Sequence, residues 1–214
     1  MRKEASWSIV WGFIAALLFS QSGNAADYVI DPSRSEVVVQ LFKTGIGSAL
    51  AHDHVVRATK YSGQARLDLA EPAAARISVE VDATALVVDE PEIRKKYDLP
   101  LGLSEDSRQD IQRTLESESQ LDVRRYPAIR FRSTRVTAEG EGSYLVNGDL
   151  ELRGVTRPIS LSLRGSAQNA ELHVVGSGRF LQSSYGYQPY SAFWGAVQNQ
   201  DEVVLHVDIV AVSQ

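Results

Sequence analysis

The chain contains no cysteine, so disulfides, thiolate nucleophiles and cysteine metal sites are all excluded. Its stability must come from burial and hydrogen bonding. An excess of positive charge is also missing: 22 Lys and Arg stand against 27 Asp and Glu among 214 residues, a formal charge of −5. That balance gives no electrostatic footprint for nucleic acid or for an anionic membrane surface, and neither is expected as a partner. Ser-His-Asp order, a phosphate-cradling glycine loop and a metalloprotease motif are absent as well, so no catalytic constellation is visible and no enzymatic activity is expected. What remains is ordinary for a folded domain. Hydrophobic residues make up 43% of the chain and charged residues 23%, which argues against wholesale disorder.

Long apolar runs are confined to the N-terminus. Met1-Arg2-Lys3 precedes an apolar stretch from Ile9 to Phe19, and the small residues Gly23 and Ala25 follow. A basic start, an apolar core of about 11 residues and a small-residue exit predict a secretory signal over residues 1–25, cleaved after Ala25. The run is shorter than the roughly 20 residues a membrane-spanning helix needs. Residues 26–214 are then expected to form one exported domain with no stable membrane span.

Beyond residue 26 the dominant signal is alternation with period two, the mark of strands with one buried face. Val37, Val39 and Leu41 alternate with Val38, Gln40 and Phe42. The same pattern runs through 77–83, 129–132, 150–153 and 159–164. In the last strand Val203, Leu205, Val207 and Ile209 share one side, opposite Val204, His206, Asp208 and Val210. Turn residues punctuate these runs at Glu71-Pro72, Glu139 to Gly142, Asn147-Gly148-Asp149, Arg153-Gly154 and Gly176-Ser177-Gly178, and the segment around Gly154 predicts a tight hairpin. Several short strands at regular spacing predict a mainly β protein, an antiparallel barrel or sandwich.

One segment breaks the pattern. From Ser104 to Leu121 the β-formers vanish, and Ile111, Leu115 and Leu121 lie at near-helical spacing behind a plausible N-cap at Ser104. This predicts a short helix packed over one end, with Glu105, Asp110, Glu116 and Glu118 on a solvated face. The stretch from Asp89 to Leu103, with two prolines and mixed charge, predicts a long surface loop that could act as a lid.

Two clusters carry chemistry. Phe180, Tyr185, Tyr187, Tyr190, Phe193 and Trp194 crowd into a turn-rich segment; such rings can line a pocket mouth or simply close one end by packing. His52-Asp53-His54 places two imidazoles on one side of an extended backbone, where they can chelate a divalent metal or grip a quinone oxygen. No further ligand lies at local spacing, and a hydrogen-bonded structural pair is the plainer account. His206 is expected at the surface beside Asp208. Arg124, Arg125 and Arg157 can face solvent or meet an anionic head group at a pocket rim.

Three ordered blocks carry a family resemblance: 28–35 (YVIDPSRS), 121–133 (LDVRRYPAIRFRS) and 146–158 (VNGDLELRGVTRP). Together with the closing run 183–212, they resemble the YceI-like family of periplasmic, polyisoprenoid-binding proteins. The stretch Leu50-Ala51-His52-Asp53-His54-Val55-Val56 departs from that family's usual pattern. The resemblance implies an extended, antiparallel, lipocalin-like β-barrel with one short helix over an end. It implies a non-catalytic, periplasmic protein that holds an isoprenoid chain, such as a quinone tail or polyprenyl lipid, with no required cofactor; homodimerisation stays open. On that reading Val39, Leu41, Leu67, Leu69, Val79, Val81, Ile129, Phe131, Leu161 and Leu163 line the cavity, and Phe180, Tyr185, Phe193 and Trp194 stand at its wall and mouth. The alternative is a metal- or redox-linked binding protein using His52 and His54 around a packed core.

Overall fold

The period-two stretches form strands in the computed structural model, which describes residues 25–47, 51–68 and 71–214. The expected leader, apart from residue 25, and Leu69 lie outside the described residues. The first strands are β1 (Ala26–Ile30), β2 (Glu36–Thr44), β3 (His54–Ala58), β4 (Tyr61–Leu67), β5 (Arg76–Asp82) and β6 (Leu86–Val88). Two helices follow, α1 (Pro91–Lys96) and α2 (Glu105–Glu116). The chain then returns to strands: β7 (Ala128–Gly140), β8 (Ser143–Leu152), β9 (Val155–Gln168), β10 (Glu171–Leu181), β11 (Ser191–Ala192) and β12 (Val197–Ser213).

Strands β1, β4, β5, β7, β8, β9, β10 and β12 pair in that order, and β12 pairs back onto β1. The result is a closed, eight-stranded antiparallel barrel. Closure satisfies every backbone ladder position that an open sheet would leave at its edges. β12 is long enough to serve two partners: its end, Ala211 to Ser213, pairs with β1, and its earlier part pairs with β2. The bend between those partners is built by the sequence block at 31–35. The Asp31 carboxylate accepts hydrogen bonds from the Ser33 amide, the Ser33 hydroxyl and Arg34, which together hold its pKa down at about 2. Ser35 Oγ stands in for a strand partner, accepting from Val210 N and donating to its carbonyl.

β2 therefore continues from β12 beyond the β1 contact and carries β3 and β6 with it, a flap of wall whose Val39, Val56 and Val88 border the same interior. The free edge of β6 is closed by a side chain. Gln112 on α2 accepts from Val88 N at 3.0 Å and donates to Leu86 O at 2.8 Å, so one amide mimics the next strand. α2 is where the sequence places it: Ser104 caps it by accepting from Ser107 N, and Ile111 and Leu115 pack onto the core. The helix stops at Glu116, and the chain turns through 117–120 to bury Leu121.

The structure corrects three local expectations. Asp89 to Leu103 is not a plain surface loop: it contains α1, and Asp89 and Arg94 are 0% and 1% exposed. Their mutual ion pair, 2.6 Å long, removes the cost that made the segment read as solvated. Asn147-Gly148-Asp149 lies inside β8, where Gly148 leaves room for the Phe131 ring; a Cβ there would stand 2.4 Å from Phe131 Cε2. Gly176 and Gly178 lie inside β10 opposite Leu163 and Leu161, and a Cβ on either would strike the facing leucine's Cδ2. The predicted hairpin at Arg153-Gly154 forms as expected, with both residues at positive φ, the geometry that suits a two-residue connection.

Replacing Gln112 by Leu keeps the volume but leaves the Val88 amide and the Leu86 carbonyl without that partner. Urea unfolding of Gln112→Leu should show a loss of about 1–3 kcal/mol; an unchanged midpoint would show that α2 is not needed to close this edge.

Candidate functional site

The barrel is not packed solid. Its inward side chains enclose a cavity of about 490 Å³. Alternation explains the lining: Val37, Val39 and Leu41 come from β2, Val79 and Val81 from β5, Ile129 and Phe131 from β7, and Leu161 and Leu163 from β9. From β12 come Val203, Leu205, Val207 and Ile209, every second residue, as a pleated strand requires. Leu67 and Phe180 also border the space. α2 closes one end with Ile111, Thr114 and Leu115. The sequence reading missed Tyr187, Tyr190 and Gln182 in the lining, although the two tyrosines belong to the aromatic cluster it singled out.

The other aromatics fall elsewhere. Tyr185 is buried behind the wall, edge-on to the Phe180 ring at 5.5 Å, and its hydroxyl is pushed up to about 12 by burial. Phe193 and Trp194 do not border the cavity; they are 74% and 104% exposed, with φ of 50° and 53°. The left-handed backbone of that short turn carries both rings into water. Aromatic density in a sequence marks a pocket wall and an exposed turn equally, so nothing in the composition separates the two.

A shallow surface depression adjoins the cavity at the α2 end. It shares Asp110, Thr114, Gln120 and Tyr190 with the cavity lining, and Gln120 Nε2 bridges to Gln188 O at 3.1 Å. Among the described residues, no Lys or Arg lines the cavity; its ionisable side chains are His54, Asp68, Asp110, Tyr144, Tyr187 and Tyr190. Arg157 is instead tied to the Ser184 carbonyl, and Arg125 lies over the Tyr126 ring.

The histidine pair is divided by the fold. His52 is exposed on the strand approach, and Asp53 accepts from Lys43 N through Oδ1. His54 opens β3 and faces inward beside Leu41, its register partner. Its Nδ1 lies 2.6 Å from Asp89 Oδ2. Asp89 Oδ1 also accepts from Val55 N and from Arg94 Nη1. Arg94 is further anchored to the carbonyls of Asp53 and Pro100. Burial alone would push the Asp89 carboxyl up, but the hydrogen bonds from His54, Val55 and Arg94 outweigh it and hold the group below its ordinary 3.8. Among the described residues, no group of three or more His, Cys, Asp or Glu is placed to hold a metal ion.

The expectation for His206 is corrected. His173, not His206, meets Asp208, at 2.7 Å. His206 is half-buried beside Gln40 and the Tyr97 ring; burial, aided by Arg179, lowers its pKa.

A closed antiparallel barrel around an apolar, partly open cavity defines a binding protein of the lipocalin-like kind. The chain belongs to the YceI-like domain family, which matches residues 28–211. It is 33% identical over 144 residues to a UPF0312 protein of Pseudomonas savastanoi pv. phaseolicola, covering 67% of this chain and 64% of that one. A UPF0312 protein of Shewanella baltica is 30% identical over 166 residues, covering 77% and 71%. Among solved structures, Burkholderia cenocepacia BcnA superposes with a TM-score of 0.64 at 18% identity, over 86% of this chain and 99% of BcnA. A Campylobacter jejuni YCEI protein gives 0.55 at 13% identity, over 74% and 84%. At such identities the likeness is one of fold.

Asp89 supplies a direct test of the buried cluster. Asp89→Asn leaves Arg94 buried without its counter-charge and should cost about 3–5 kcal/mol at neutral pH. A carboxyl whose folded pKa lies below its unfolded value stabilises fully above that unfolded value, and the benefit is lost as pH falls through the folded one. The gap between wild type and variant should therefore be whole above pH 3.8 and narrow in more acid solution. Urea titrations across that range would show it, and a gap that widens on acidification would contradict the assignment.

Proposed function

We propose that this protein is an exported, non-catalytic carrier that holds the apolar chain of an isoprenoid lipid, a quinone tail or polyprenyl chain, inside its barrel in the periplasm. The observation that carries this reading is the cavity itself: a closed wall of Val, Leu, Ile and Phe side chains around unfilled space. An empty apolar cavity forfeits dispersion contacts that its lining would otherwise make, so a bound chain restores them as it leaves water. Transfer of apolar surface from water contributes roughly 25 cal/mol per Å² before ordering costs. Among the described residues, no helix is long and apolar enough to cross a membrane. The basic, apolar and small-residue succession at 1–25 supports export.

Organic extraction of protein purified from its native host, followed by mass spectrometry, should release an isoprenoid lipid in near-stoichiometric amount. Leu163→Trp fills the cavity from β9 and should lower that yield at least several-fold while the strand circular dichroism stays unchanged. Protein that carries no lipid, and takes up no added ubiquinone or polyprenol after delipidation, would defeat the carrier reading.

A further inference from the structure

Among the polar side chains of the cavity lining, His54 has its hydrogen-bonding sense set by a buried carboxylate. His54 faces the interior from the start of β3 and is only 16% exposed. Its Nδ1 meets Asp89 Oδ2 at 2.6 Å. Asp89 accepts three hydrogen bonds in all, since its other oxygen takes them from Val55 N and Arg94 Nη1. A carboxylate used in this way has no proton to give, so the hydrogen between it and His54 belongs to Nδ1. In the neutral imidazole the second nitrogen, Nε2, then carries a lone pair and can only accept. Nε2 has no protein partner among the described residues. Arg94 pairs with the same carboxylate at 2.6 Å and balances its charge.

We infer that His54 Nε2 is the head-group contact of the cavity, and that it selects an apolar ligand ending in a hydroxyl donor. This rests on the carrier reading and narrows it to a class of ligand. A ketone oxygen offers no hydrogen to Nε2, and an ether offers none either. A diphosphate head beside His54 would need cationic partners, and no Lys or Arg lines the cavity among the described residues; Arg113 borders only the adjoining depression. An alcohol at the end of a long isoprenoid chain satisfies Nε2 while its tail follows Leu41, Val203 and Phe180 along the wall. Asp89 and Arg94 are positioning residues here: they fix the ring and its tautomer without touching the ligand. The pairing of a buried, oriented imidazole with an otherwise apolar wall gives orientation as well as affinity.

The test uses delipidated full-length mature protein, with geranylgeraniol and its methyl ether as probes. The two share a chain and differ in one hydrogen. Wild type should bind the alcohol about tenfold more tightly than the ether, the effect of one hydrogen bond to an otherwise unpaired acceptor. In His54→Phe the preference should collapse to about one, with the ether's affinity little changed. Nitrogen NMR of the free wild type should show the Nδ1-protonated tautomer, and the alcohol, unlike the ether, should shift the Nε2 resonance; this arm does not depend on the variant folding. Equal binding of both probes by wild type would overturn the His54 assignment while leaving the carrier reading intact. Binding of neither probe, together with failure to take up ubiquinone or polyprenol, would overturn both.

Discussion

The pairing of β12 with β1 is the contact on which the rest depends. It joins the last strand to the first and turns a curved sheet into a closed wall. A wall held by backbone ladders all the way round can keep its shape without a filled interior, which a two-layer sandwich cannot do. Closure is what allows a 490 Å³ space to persist among Val, Leu and Ile side chains that would otherwise collapse together. The same strand also serves β2, and the Asp31 turn is the device that lets one strand have two partners in succession. Gln112 finishes the wall where the flap of β2, β3 and β6 would leave an edge.

Much of this was legible in the sequence because the signals were periodic. Alternation along β2, β5, β7, β9 and β12 marked the inward residues, and the helix at Ser104 announced itself by its cap and apolar stripe. Three features were hidden for identifiable reasons. The burial of Asp89 and Arg94 depends on two charges meeting across α1, which no linear pattern displays. The strand glycines at 148, 176 and 178 look like turn residues, yet each is small because a neighbouring strand's Phe131, Leu163 or Leu161 occupies the space a side chain would need. The division of the aromatic cluster into lining rings and the exposed pair Phe193 and Trp194 depends on backbone dihedrals alone.

The His52-Asp53-His54 tripeptide shows how the fold reassigns chemistry. As a sequence it allowed a chelating pair, with a hydrogen-bonded structural pair as the plainer account. In the structure the neighbours part: His52 faces solvent, Asp53 fixes the backbone of β2 through Lys43 N, and His54 turns inward against a buried carboxylate. That leaves a single oriented imidazole at the edge of an apolar room.

The central claim is that the interior is built to be occupied. A ligand that binds the folded state and not the unfolded chain raises the melting temperature with its concentration. Calorimetric melting of the delipidated protein, with increasing geranylgeraniol or ubiquinone, tests this most directly. The account predicts a rise in Tm that grows with the logarithm of ligand concentration and is absent in the cavity-filled Leu163→Trp variant. A Tm indifferent to every isoprenoid tried, with wild type and variant alike, would contradict it.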